Sequence, residues 1–231
     1  MLNASKPYNA LPLLPPKAEI ETKSILRKTI QANAALAELK AYAHIIPNQS
    51  ILINSLTLKE AKDSSGIENI ITTHDELFKA FSLQPQNINP ATKEVLNYKE
   101  ALFFGYEQVK QKKFLNTNII VKIQELIVEN NAGIRKLSGT VLKNDKTGAV
   151  IYTPPDDRNA INNLLKNLEN YLNEDTDSAH ALIKMALIHY QFESIHPFYD
   201  GNGRTGRIVN VLYLILADLI FTSNGTIRNR L

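Results

Sequence analysis

The chain contains no cysteine. Disulfides, thiolate catalysis and cysteine-ligated zinc are therefore excluded. The absence agrees with a reducing compartment, and a cytoplasmic location is expected. No basic n-region leads into an apolar core, so no signal peptide is expected. The longest apolar run, "IVNVLYLILADLIF" from Ile208 to Phe221, is broken by Asn210 and Asp218. It is too short to span a bilayer and reads as a buried helix, so no membrane partner is expected. A dense Lys/Arg stripe is also missing. The net charge is only +3, and "KQKK" at 110–113 reads as the end of a solvated helix. Nucleic acid is not an expected partner of this chain. Neither internal repeats nor low-complexity tracts are found.

What remains is ordinary globular material: 231 residues, 44% hydrophobic and 21% charged, enough for one large domain or two small ones. Four prolines in the first twenty residues make an irregular arm. A helix follows from about Glu21 to Ala43, with Ile25, Leu26, Ile30, Leu36 and Leu39 near one apolar face. Pro47 and Asn48 punctuate it, and Asn48 can cap a helix carrying Leu52 and Leu56. Thr73 can cap a helix through Phe81, "LQPQNINP" is a break, and 91–112 and 117–130 read as two more helices. Segment 138–155 is different in kind. Two β-prone runs flank "NDKTG", with Gly148 available for positive φ, which predicts a β-hairpin closed by Pro154 and Pro155. Asp156 or Asp157 then caps a helix to about Leu172. Another runs from about Asp177 to Phe192, with Leu182, Met185, Ile188 and Phe192 inward. The expected fold is mainly α with one hairpin.

Residues 196–207 read "HPFYDGNGRTGR". The glycines match G-x-G-x-x-G and nearly match a P-loop. Both of those need a preceding strand, whereas "ALIKMALIHYQFESI" has helical spacing; the P-loop lysine is also missing. The local physics still favours an anion. Gly201 and Gly203 let backbone N–H groups converge as a helix begins near Arg204, and Arg204 and Arg207 share its first turn. Asp200 beside such a cradle is where Mg²⁺ would sit, and His196 has an ordinary pKa suited to a general base. Taken singly, each has a bland reading: a structural histidine, a turn, solvated arginines. Their coincidence within twelve residues describes a metal–triphosphate site.

This stretch resembles the signature of Fic domains, H-P-F-x-[DE]-G-N-G-R-x-x-R, at every defined position, and the resemblance extends over most of the chain. It implies a Fic-type helical bundle with one β-hairpin flap and transfer of AMP from ATP to a Ser, Thr or Tyr hydroxyl of a protein, including the chain itself. His196 would be the catalytic base and Asp200 the Mg²⁺ ligand. Asp200, Gly201, Asn202, Gly203, Arg204, Thr205, Gly206 and Arg207 would bind the nucleotide, with Arg207 reaching the γ-phosphate. The flap would register a target segment by strand pairing along Gly148, Ala149, Val150, Ile151 and Tyr152. The alternative is that the hairpin only covers the core. The implied layout is an N-terminal helical region, 1–90, and a Fic core, 91–231.

"SSGIEN", with Ser64, Glu68 and Asn69 at the defined positions, resembles the family's inhibitory motif [ST]-x-x-x-E-[GN]. Ser65-x-x-Glu68 is equally a capping box at a helix start. The inhibitory reading has Glu68 pair with Arg207 and hold off the γ-phosphate. The chain ends soon after the motif's own helix, so the C-terminal elements that such family members carry are expected to be absent. That leaves a second reading, a catalytically silent nucleotide- or partner-binding module. Relatives that transfer UMP, phosphocholine or phosphate use similar loops; a DNA-binding regulator has little support. Homo-oligomerisation is left open.

Overall fold

A computed structural model describes residues 3–45, 49–83, 88–144, 146–174 and 178–220. The expectations placed on Pro47, Asn48, Asp145, Asp177, Phe221 and the final "TSNGTIRNRL" lie outside the described residues, as do the side chain of Leu52 and much of "LQPQNINP".

Among the described residues the chain forms eight helices and one two-stranded sheet. They run α1 Lys23–Ile45, α2 Gln49–Ile67, α3 His74–Leu83, α4 Pro90–Lys112, α5 Thr117–Val128, β1 Leu142–Lys143, β2 Val150–Tyr152, α6 Arg158–Asn173, α7 Ala181–Ile195 and α8 Asn202–Leu216. Local chemistry sets the ends. Thr73 and Glu76 exchange side-chain-to-backbone bonds of 3.2 and 3.1 Å, a capping box that starts α3. Asn89 accepts from the Ala91 N–H before Pro90, Asn116 from Ile119, and Asp157 from Ala160. The hairpin forms as the turn chemistry predicts: β1 and β2 are antiparallel, Gly148 has φ 68°, and a register irregularity falls between Leu142 and Lys143.

Helix α8 lies at the centre, packed by α2, α4, α5 and α7. Its Ile208, Val209 and Leu212 are fully buried with Ile123 of α5, Ala101 of α4 and Ile188 and Phe192 of α7. The N-terminal arm is irregular, as expected, yet fastened. Asn9 bridges to Asp156 and Asp157, Asn167 holds both polar backbone groups of Leu14, and Gln191 donates to the Pro12 carbonyl.

Three expectations are corrected. The apolar stripe of α1 is not a buried face: Ile25, Leu26, Ile30 and Leu39 are exposed and Leu36 is half-buried, whereas Thr29 is buried. The helix lies against α7 without burying that stripe. Helix α7 begins later and ends later than predicted. Ile188 and Phe192 point inward as expected, but Leu182 and Met185 are half-buried while Ile183, Lys184, Gln191 and Ile195 are buried. The apolar run from Ile208 leaves the helix at Leu216, and its last turn is only half-buried. Among the described residues no helix is long and apolar enough to cross a membrane.

Candidate functional site

The loop joining α7 to α8 makes one wall of a cleft of about 380 Å³. Helix α7 stops at His196, which caps it in the left-handed conformation (φ 50°, ψ 60°) just before Pro197. Phe198 turns into the core against Phe192, with ring centroids 6.2 Å apart. Asn202 returns both polar atoms of its buried side chain to Phe198, accepting from its N–H at 2.9 Å and donating to its carbonyl at 2.8 Å. The loop is thus tied across its own mouth. Gly201, at φ 77°, is the N-cap of α8, and no side chain caps that end. A Cβ there would strike Val128 of α5, so glycine is required by both angle and space. The first N–H groups of α8 and its positive dipole end therefore remain available to an anion.

His196, Asp200, Gly201, Asn202, Gly203 and Arg204 all line the cleft, together with Glu68, Ile70, Glu94 and Tyr199. The imidazole of His196 is held below its ordinary pKa, first by burial and then by the nearby Arg135 cation; the Glu193 carbonyl and Glu68 carboxylate pull the other way and are outweighed. Its Nδ1 has no hydrogen-bond partner. A neutral imidazole in such a cleft can accept a proton. Arg204 is buried, with Nη1 donating to Glu94 at 2.8 Å, Nη2 3.6 Å from Asp200 and Nε without a partner. Asp200 accepts the Gly201 N–H at 2.6 Å while its side chain stays 71% exposed.

Thr205, Gly206 and Arg207 do not line this cleft. Thr205 is fully buried, and Gly206 packs against α7: a Cβ there would meet Glu193 Oε1 at 2.5 Å and Phe192 at 3.1 Å. Arg207 reaches sideways to α2. Its Nε donates to Ser64 Oγ at 2.6 Å, and its Nη2 donates to the Ser64 carbonyl at 3.0 Å and to Glu68 Oε1 at 2.9 Å. Ser64–Asn69 forms the end of α2, not the start of a helix. Glu68 and Ile70 N–H groups donate back to the Ser65 carbonyl, and Asn69 turns left-handed at φ 62°. The capping-box alternative is therefore wrong for Ser65 and Glu68. The Glu68 carboxylate lies over Gly203, where a Cβ would collide with it.

Sequence reasoning missed Glu94, which holds Arg204 across 110 positions, and Gln124, whose Nε2 donates to the Asp200 carbonyl at 3.0 Å. It also missed Arg135 and Glu193. Burial pushes the Glu193 carboxyl up to about 7, the Arg207 cation opposing and Glu68 adding to the rise. None of these four carries a local pattern; each is recognisable only once α4, α5, α7 and the 129–141 segment meet at the loop.

Residues 26–107 match the Fic/DOC family N-terminal region and residues 114–214 match the Fic/DOC family itself. The chain is 26% identical over 194 residues to "Protein adenylyltransferase Fic" of Drosophila mojavensis, covering 82% of this chain and 35% of that protein. It is 31% identical over 186 residues to "Probable protein adenylyltransferase" of Aquifex aeolicus, covering 77% and 53%. The chain thus spans about a third to a half of the length of these curated relatives. A Fic domain containing signaling protein from Bacteroides thetaiotaomicron shares the fold at TM-score 0.67 with 17% identity, covering 80% of this chain and 72% of that one.

Proposed function

Because this chain belongs to the Fic/DOC family, we propose that it is a protein adenylyltransferase. It moves AMP from ATP onto a hydroxyl side chain of a protein and is held back by Glu68. The observation that carries this reading is the uncapped N-terminus of α8 opening into the same cleft as the half-buried His196, whose pKa burial and Arg135 lower. In this reading the triphosphate lies along the Gly201–Arg204 turn, where N–H groups, a helix dipole and Arg204 meet its charge. The His196 imidazole takes the proton from the target hydroxyl. The freed oxygen forms a bond to the α-phosphorus as the bond to the β-bridging oxygen breaks, and pyrophosphate leaves with that electron pair. Positioning and charge stabilisation supply most of the acceleration, as in other phosphoryl-type transfers. The strand Val150–Tyr152, exposed at Ile151, offers a target segment an edge to pair with.

Among the described residues no group of three or more metal-binding side chains could cage an ion. The single exposed carboxylate of Asp200 suits Mg²⁺ shared with substrate phosphates, because that ion keeps waters and needs only one or two protein carboxylates. When bound it would neutralise phosphate charge. Glu68 supports the regulatory half of the reading. Its carboxylate neutralises Arg207 and sits over Gly203, where phosphate oxygens would otherwise be received.

The test is to incubate the chain, Glu68→Gly and His196→Ala with Mg²⁺ and ATP labelled at the α-phosphate. Label on protein that rises with Glu68→Gly and vanishes with His196→Ala is the expected result. ATP binding with no label in any variant would overturn the enzyme reading in favour of a silent nucleotide-binding module.

A further inference from the structure

The geometry points to Arg135 as a positioning residue that fixes the catalytic turn at His196 to the closing end of the flap. It rests on the reading of His196 as the base. Arg135 lies in the segment between α5 and β1 and is 1% exposed. Its Nε donates to the His196 carbonyl at 2.7 Å, and its Nη2 donates to the Ile195 carbonyl at 3.1 Å and to the Pro155 carbonyl. Its own backbone N–H donates to the Pro197 carbonyl at 2.9 Å. All of these acceptors are backbone carbonyls, from the catalytic turn and from the last residue of the flap. Asp156 acts on the guanidinium only through its field.

A buried cation costs several kcal/mol unless its donors are met, so a chain that only needed filler here would use an apolar side chain. A planar fork can hold carbonyls from two segments at fixed separation; an ammonium cannot. The turn it grips needs holding, because His196 is a non-glycine residue at φ 50°. Three more bonds tie the flap and the residues leading into it to the same turn. Tyr152 of β2 donates to the Ser194 carbonyl at 2.9 Å, and the Lys136 and Leu137 N–H groups donate to Tyr199 Oη at 2.9 and 3.2 Å. Both ends of the flap are therefore fastened to residues 194–199, with Arg135 at the crossing point. A nucleophile delivered by the flap and a proton acceptor at His196 then share one rigid frame, which is what a near-attack geometry requires. The guanidinium also helps keep the imidazole neutral, against the Glu193 carbonyl and Glu68; Glu94, Tyr199, Asp200 and Arg204 face the same cleft.

The experiment uses Glu68→Gly as parent and compares Arg135→Met and Arg135→Lys in that background. Initial label transfer from ATP is measured against pH and ATP concentration. The His196 ring is followed by NMR titration of chain carrying isotopically labelled histidine, assigned with His196→Ala. Arg135→Met should lower kcat by about tenfold or more with the ATP KM within about twofold, and move both the acid limb and the His196 midpoint to higher pH. Arg135→Lys, which keeps the charge, should lower kcat by a similar factor with the midpoint in place. Arg135→Lys at parental kcat, or a His196 midpoint unmoved in Arg135→Met, would overturn the assignment, as would a kcat that only tracks the folded fraction. If Arg135→Met does not fold, the kcat of Arg135→Lys decides. A Glu68→Gly parent that transfers no label sinks the adenylyltransferase reading, while the NMR midpoint still decides on Arg135.

Discussion

Replacing Glu68 tests whether its carboxylate acts by charge, by volume, or merely as a surface ion pair. Its Oε1 is 2.9 Å from Arg207 Nη2, and the side chains are 41% and 20% exposed. As a half-exposed pair it contributes at most about 1 kcal/mol to stability. Against a bound triphosphate the sign reverses. A phosphate charge about 4 Å from the carboxylate is repelled by about 4 kcal/mol at an effective dielectric constant of about 20. Solvent at this exposed carboxylate reduces that to about 2 kcal/mol, or roughly thirtyfold, with roughly a thousandfold as the ceiling. The carboxylate also occupies space over Gly203. Glu68→Gln keeps that volume and removes the charge, so it should relieve only part of the block; Glu68→Gly should relieve all of it. The assay is initial label transfer from ATP at subsaturating and saturating concentration, paired with thermal melting. Transfer rates in the order parent, Gln, Gly, with Tm changed by no more than about 4 °C, are expected. Equal rates in all three, or a Glu68→Gly rate below the parent, would refute the reasoning.

Three further outcomes are expected. Glu193, with its folded pKa raised to about 7, favours the fold in its protonated form; that contribution is full below its unfolded pKa near 4.5 and is lost as pH rises through about 7. Denaturant titrations across that window should show the parent losing up to about 3 kcal/mol relative to Glu193→Gln, and parallel curves would exclude it. Asn202→Ala strands the N–H and carbonyl of Phe198 in a buried loop, so calorimetry should record a loss of about 2–3 kcal/mol and a Tm lower by about 4–12 °C. Ile151 stands 58% exposed on the flap. In the Glu68→Gly background, Ile151→Asp should slow transfer to protein while calorimetric ATP affinity stays within about twofold.

The helices and the hairpin were legible because their signals are local: caps at Thr73 and Asp157, and a glycine where the turn needs positive φ. The cleft was legible for a related reason: most of its lining comes from one short stretch of sequence, His196 to Arg204. What supports that stretch was not, because Glu94 and Arg135 meet it through contacts spanning 110 and 61 positions. The stripe on α1 shows the opposite failure. Its spacing correctly called a helix, but periodicity reports which side could be buried, not whether a neighbour arrives to bury it. The stretch from Ser64 to Asn69 was ambiguous because the same residues suit a helix start and an anion-like plug; only the direction of the Ser65 carbonyl bonds separates them.

The N-terminal arm deserves a different kind of reckoning from anyone trimming this protein. It looks like a tail to discard or to replace with a purification handle. Yet the Ala4 carbonyl accepts the Thr153 hydroxyl, Tyr8 donates to the Thr153 carbonyl, and Asn9 grips Asp156 and Asp157. These residues form the footing of the flap, two positions from the Pro155 carbonyl that Arg135 holds. A truncation to the first helix would leave every residue of the signature loop in place and still loosen the frame around it. Boundaries chosen from helix content alone would cut away part of the site's foundation.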